Sequence, residues 1–218
     1  MLEAIERKRL KYGILIAIEG IDGAGKTTQA KILLDTLTQK GYDAVYLHEP
    51  TDGYWGKRIK ELATNGRHKV KPETELEFFY LDRLEDVEKN IRPALQEKKI
   101  VIMDRYYFSS VAYQGARGLD TNLIEEKNQA IAPIPNITII LDLDPEIALT
   151  RIRHKRNEIP NYFERKKYLE RVRQVFLKCF SNRPNIKIIN GDDTRPIQMI
   201  VSDIWKIVEP VIKEAEEA

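Results

Sequence analysis

Short apolar runs alternate with longer amphipathic segments along most of this chain. ILIAIE (Ile14–Glu19) is β-branched and almost wholly apolar, which predicts a strand buried on both faces. Lys26–Gln39 then carries Ala30, Leu33, Leu34 and Leu37 at helical spacing, with Gly41 as a stop. The same alternation predicts strands over Asp43–Glu49, Ile100–Asp104, Ile137–Asp144 and Ile186–Asn190. Between them it predicts a loop from Pro50 to Gly56 and a short helix over Lys57–Ala63, closed by Asn65-Gly66. Helical segments follow over Pro72–Glu97 (broken or kinked at Pro93), Phe108–Gln114, Thr121–Ala132, Pro145–His154, Tyr162–Phe180 and Thr194–Glu214. Strands that alternate with helices predict an α/β fold: a five-stranded parallel sheet wrapped by helices on both faces. No repeat, linker or domain boundary interrupts 1–218, so a single domain is expected.

On such a sheet, ligands bind where strands end at their carboxyl side. The residues that follow each strand therefore matter most. After the first strand comes Gly20-Ile-Asp-Gly-Ala-Gly-Lys-Thr27, which fits G-x-x-x-x-G-K-[ST] between a strand and a helix. Gly20, Gly23, Ala24 and Gly25 let successive backbone N–H groups face one point, and Thr28 extends the cradle into the helix N-terminus. Lys26 supplies a cation for the β and γ phosphates of a nucleoside triphosphate, and Thr27 a hydroxyl for Mg²⁺. Asp104, ending IVIMD, is the second expected metal partner. The carboxylate of Asp22 is the anomaly in a loop built for anions.

Composition narrows the function. Among 218 residues, Lys plus Arg number 36 and Asp plus Glu 34, for a net charge of +2, so no nucleic-acid partner is expected. A single cysteine, Cys179, precludes an intrachain disulfide and suits a reducing compartment. No apolar run approaches the roughly 20 residues of a membrane span, and MLEAIERKRLKYG lacks the features of a signal peptide. A cytoplasmic protein with no membrane partner is expected.

Three kinds of P-loop protein compete for the motif. A switch GTPase needs Asn-Lys-x-Asp after a late strand, where this chain has DLDPEIALTR. A large mechanical ATPase carries a catalytic Glu beside its strand-end acid, where this chain has Asp104-Arg-Tyr-Tyr. A small-molecule kinase needs extra cations at strand ends and a basic closing segment, and both are present. The remaining rivals are a kinase of another pyrimidine nucleotide or nucleoside on this scaffold, and a nucleotide-binding regulatory module.

The combination EGIDGAGKTTQ, HEP, FFYLDR (Phe78–Arg83) and DRYYFSSVAYQGARG (Asp104–Gly118) resembles the thymidylate kinase family from about Ile14 to Asp193. The resemblance implies ATP and dTMP as substrates, Mg²⁺ with the ATP, and a homodimer. It directs Asp22 to the 3′-hydroxyl of the acceptor and Arg105 to its phosphate as a bidentate clamp. Arg83 and Phe79 are assigned to the thymine, as hydrogen-bond donor and stacking ring. Ser110 and Gln114, one helical turn apart, are assigned to its Watson–Crick edge, and Tyr113 to the deoxyribose. Glu49 and Pro50 fall in the loop beside the acceptor. Here the usual Arg-Glu-Pro-Gly reads His48-Glu49-Pro50-Thr51, which leaves His48 without a role.

The resemblance also places a lid near 151–164, where Arg151, Arg153, Lys155 and Arg156 cluster. Some members carry a basic residue in the P-loop after the Asp. Others have Gly there and a basic lid, and Gly23 aligns this chain with them. Arg153 or Arg156 is therefore the expected catalytic cation. Beyond the lid, Asn161-Tyr162-Phe163-Glu164 departs from Asp-Arg-[Phe/Ile]-Glu but keeps Phe163 as a substrate contact and Glu164. Asn190–Pro196 resembles the adenine loop. Met1–Tyr12 precedes the first strand as an extension: LEAIERKRL could form a short charged helix that covers a neighbouring surface, and disorder or a frayed helix is the favoured expectation.

Overall fold

A computed structural model describes residues 7–65, 70–156, 162–192 and 195–216, without the side chains of Asn65, Lys155, Arg156, Tyr162, Phe163 and Glu164. Five strands, β1 (Ile14–Glu19), β2 (Ala44–His48), β3 (Ile100–Asp104), β4 (Ile137–Asp142) and β5 (Ile186–Asn190), form one parallel sheet in the order β2-β3-β1-β4-β5. The chain passes from β3 to β4 across β1, so β1 lies at the centre. Every residue of β1 and β3 is buried, as their unbroken apolar runs require. The register sets Ile18 beside Asp104, His48 beside Asp104, and Asp142 beside Asn190. The chemistry-bearing ends of β1, β2 and β3 thus share one edge of the sheet.

Nine helices among the described residues cover the sheet: α1 (Lys26–Gln39), α2 (Tyr54–Asn65), α3 (Pro72–Asp86), α4 (Arg92–Gln96), α5 (Tyr107–Gly115), α6 (Thr121–Gln129), α7 (Pro145–Arg156), α8 (Tyr162–Phe180) and α9 (Ile197–Ala215). Two differ from the sequence pattern. Helix α2 begins at Tyr54, where Trp55 packs on Phe78 of α3 with ring centroids 5.5 Å apart. Between α3 and α4 the predicted break at Pro93 is replaced by a π-helical turn over Val87–Ile91, which carries the chain into a helix with Pro93 in its first turn. That position needs no N–H donor, so the proline is accommodated without a break.

The amino-terminal expectation is corrected for residues 7–12. Leu10 is buried and forms an antiparallel bridge with Glu216, and Lys11 N–H donates to the Ala215 carbonyl at 2.7 Å. Lys8 donates from its backbone to Gly41 and from Nζ to Tyr42 and Glu216. These contacts tie the segment to α9 and to the turn after α1. The rest of the expected extension, positions 1–6, lies outside the described residues.

Candidate active site

The loop after β1 owes its shape to three glycines with positive φ: Gly20 at 138°, Gly23 at 86° and Gly25 at 92°. A Cβ on Gly20 would lie 2.5 Å from the Leu141 carbonyl oxygen, and one on Gly23 2.5 Å from that of Ala148. Lys26 opens α1 yet is buried, and its Nζ donates to the Ile21 carbonyl at 2.8 Å. Burial pulls the Lys26 ammonium down to about 8, and Arg105 adds to this, while Asp22, Asp104 and Glu19 oppose it. Ala24 is buried, whereas Thr27 and Thr28 are exposed in the first turn of α1.

Thr27 Oγ1 donates to Asp104 Oδ2 at 2.5 Å, and Tyr46 on β2 donates to the same oxygen at 3.0 Å. A hydroxyl and a carboxylate are hard oxygen donors. They suit Mg²⁺, which takes one or two protein oxygens and completes its shell with water and substrate phosphate. Among the described residues no group of three His, Cys, Asp or Glu side chains forms a fuller cage.

Arg105 follows Asp104 with φ 71°, a left-handed conformation that costs a non-glycine residue about 1–3 kcal/mol. It is held there by its own N–H, which donates to Ile18. Its Nη2 pairs with Asp22, its Nη1 donates to Ser109 Oγ at 3.0 Å, and its guanidinium lies 5.3 Å from the Tyr113 ring centre. Tyr113 in turn accepts from the Asp22 N–H at 2.9 Å. The Asp22 side chain is thus committed to a cation, and the loop is joined to α5 through its backbone and to Arg105, ahead of α5, through its carboxylate.

Glu19, which the sequence reading passed over, anchors this arrangement. It is fully buried and accepts from Tyr106 N at 2.7 Å, Ser109 N at 3.2 Å and Ser109 Oγ at 2.6 Å. An anion from β1 therefore caps the N-terminus of α5. Burial raises its carboxyl, with Ser109, Arg105 and Tyr106 pulling it back. Its one visible signal is an acid closing an otherwise apolar strand.

Helix α3 supplies the opposite wall. Asp82 accepts from Thr51 N at 2.8 Å and Thr51 Oγ1 at 2.6 Å, fixing the loop after β2. Arg83 is 1% exposed and forms a bidentate pair with buried Glu49. Its Nη1 also donates to Asn128 Oδ1 at 2.5 Å, and both terminal nitrogens reach Ser110 Oγ at 3.3 and 3.2 Å. Each of its nitrogens serves a buried protein acceptor, so Arg83 is held in one place on this wall. Burial pushes Glu49 up to about 8, against the pull of Arg83. Phe79 is half-buried one turn before Arg83, and Pro50 is half-buried beside Glu49. His48 Nδ1 lies 3.0 Å from the Pro50 carbonyl and Nε2 3.4 Å from Asp52, which makes it a support for this loop.

Ser110, Tyr113 and Gln114 are all buried along α5. On α7, Arg153 is exposed, while Arg151 donates to the Gly23 carbonyl at 3.3 Å and to that of Gly191 at 2.9 Å. The side chains of Arg156 and Phe163 lie outside the described residues. Arg173 on α8 makes a bidentate pair with Asp142 at 2.6 and 2.9 Å, fastening the second helix of this segment to the end of β4.

A glycine cradle on a central parallel strand, a hydroxyl–carboxylate pair beside it and a basic segment after β4 define a P-loop phosphotransferase of the nucleoside monophosphate kinase type. The family model described as thymidylate kinase matches residues 18–204. A probable thymidylate kinase of Archaeoglobus fulgidus is 45% identical over 196 residues, covering 90% of this chain and 95% of the relative. The thymidylate kinase of Desulfotalea psychrophila is 41% identical over 203 residues, covering 93% and 98%. That of Xanthomonas euvesicatoria is 49% identical over 164 residues, covering 75% and 71%. The chain belongs to the thymidylate kinase family.

Proposed function

We propose that this protein transfers the γ-phosphoryl group of ATP to the 5′-phosphate of dTMP, giving dTDP and ADP. The observation that carries the reading is the Arg105–Asp22 pair, which brings a guanidinium from the acceptor motif against the phosphate loop. The acceptor phosphate is already nucleophilic near neutral pH, so positioning and charge do the work. Backbone N–H groups of Gly20–Thr28 and the Lys26 ammonium hold the donor phosphates. Thr27 and Asp104 would hold Mg²⁺, which neutralises charge on the β and γ phosphates when bound. Arg105 passes from Asp22 to the acceptor phosphate, and Asp22 is released to the 3′-hydroxyl. Phe79 flanks the base, Tyr113 the sugar, and Glu49 with Pro50 the loop beside them. Arg83, held by Glu49 and Ser110, donates to the thymine. Arg153 and Arg156 on the lid, with Phe163 beyond it, close over the phosphates and exclude water. The protein works as a single-domain cytoplasmic homodimer.

The test is ADP release from purified protein with Mg·ATP and a panel of nucleosides and monophosphates. dTMP is expected to be the best acceptor, with dUMP slower because a methyl-sized pocket separates them by only about 1–3 kcal/mol. A nucleoside or CMP as the best acceptor, or no acceptor at all, rejects the reading. Arg105→Ala is expected to raise the KM for dTMP by about tenfold to a hundredfold, the worth of a charge-assisted bidentate contact, and to leave the KM for ATP within about twofold. Unchanged KM for dTMP together with unchanged kcat rejects the clamp.

A further inference from the structure

Gln114 carries a hydrogen-bonding imbalance. Its side chain is 1% exposed, and its Nε2 donates to Glu75 Oε2 at 3.4 Å. Its Oε1 is equally buried, yet no donor among the described residues meets it. A buried acceptor left unmet costs about 1–3 kcal/mol, so such an atom in a folded protein calls for a partner. Gln114 sits on α5 one turn after Ser110, on the helix that also carries Tyr113 and follows directly on Arg105.

Glu75 explains why this oxygen, rather than the amide nitrogen, is left over. It lies on α3, is 1% exposed, and pairs with Arg117 Nη1. Arg117 Nη2 donates in turn to the Val70 carbonyl at 2.9 Å, which fixes the guanidinium. A carboxylate paired with arginine accepts and cannot donate. The amide of Gln114 must therefore turn its NH₂ towards Glu75, since the reversed amide would set oxygen against oxygen. Ser110 is biased in the same way. Its Oγ accepts from Arg83, which leaves its own proton to donate.

We infer that Glu75 is a positioning residue for base selection, which locks the Gln114 amide so that its carbonyl oxygen faces a pyrimidine carrying N3–H. The inference rests on the proposed dTMP kinase reading and deepens it. Thymine and uracil bear a donor at N3, whereas cytosine bears a bare acceptor there. A fixed Oε1 bonds the first kind of base and repels the second. A site built to pair one polar group rejects an analogue with the wrong one far better than a shape pocket rejects a methyl group. Glu75 does not touch the base. It acts by denying the amide its other orientation.

The test is Glu75→Gln, which preserves volume but can donate as well as accept. kcat/KM is measured for dTMP and dCMP, with the KM for ATP and the melting temperature as controls. The dTMP:dCMP preference is expected to fall by at least about tenfold, the smallest step a hydrogen-bonded site should show. It should do so through a higher KM for dTMP and a gain with dCMP, while kcat at saturating dTMP and the KM for ATP hold. Equal losses on both substrates, or an unmoved preference in a folded variant, overturn the inference. Because Glu75→Gln leaves Arg117 without its anion, Glu75→Gln with Arg117→Met provides the same ratio if the single variant does not fold, and the same two outcomes decide it. Wild-type protein that ignores dTMP overturns the proposed function and this inference with it. Wild-type preference for dTMP with an unmoved ratio in the variant overturns this inference alone.

Discussion

Lys26→Ala is expected to lower kcat for dTMP phosphorylation by at least about a thousandfold, since a preorganised cation aimed at developing phosphate charge is among the largest single contributions to such a reaction. The fold should survive. Lys26 gives its Nζ to one carbonyl, that of Ile21, and loss of one such bond costs about 1 kcal/mol. Burial already works against its charge, so removing that charge relieves part of the cost. Steady-state kinetics and a thermal melt settle the point together: near-normal turnover would reject the phosphate-loop assignment, and a collapsed melt would make the loss structural. The wild-type amine carries a second signature. With its pKa near 8, it is about half protonated at that pH, and anionic phosphates favour its charged form. Binding of Mg·ATP at pH 8 should therefore take up protons, and at pH 6 it should not do so through this group.

Arg83→Met is expected to destabilise the protein by about 3–5 kcal/mol, because it leaves Glu49 buried without its counter-ion. For a chain of this size that is a fall in melting temperature of roughly 10 °C. The loss should depend on pH. Burial raises the Glu49 carboxyl in the folded protein, and Asp86 and Asp82 raise it further, while Arg83 pulls it down. Without Arg83 it moves higher still, so the folded variant holds a proton that the unfolded chain releases. Stability then falls as pH rises from the ordinary carboxylate range towards 8 and beyond. The wild-type carboxyl is itself held at about 8, so the two proteins lose stability together up to that pH and part only above it. Melts at pH 7 and pH 10 should show the smaller deficit at pH 7. A deficit that is equal at both, or under about 1 kcal/mol, would mean that the pair is not the support described.

The sheet was legible because apolar runs such as ILIAIE and IVIMD need no partner to be recognised: burial on both faces leaves no polar position to confuse the pattern. The phosphate loop was legible because its glycines are required by local backbone geometry. What escaped the sequence depends on side chains far apart in the chain. Glu49 and Arg83 are 34 positions apart, Glu19 and Ser109 90, and Glu75 and Gln114 39. Spacing cannot reveal such pairs, and a charged residue in a helix is ordinarily read as exposed. That bias hides that the Arg83 guanidinium is the hub of an interior polar network. The amino-terminal segment was misjudged for a related reason. Its charge suggests disorder or a frayed helix, yet within the described part, residues 7–12, Leu10 pairs with Glu216 at the end of α9 and is buried.

Gly23 bears on how cations can be distributed in this fold. The space a side chain would need there is occupied by the backbone of α7 at Ala148, the same helix that carries Arg151 and Arg153. A charge mounted on the phosphate loop and a helix seated this closely compete for one volume. In this chain a side chain at position 23 would require α7 to move away from the loop. Packing at Ala148 therefore keeps position 23 free of any side chain, whatever its charge.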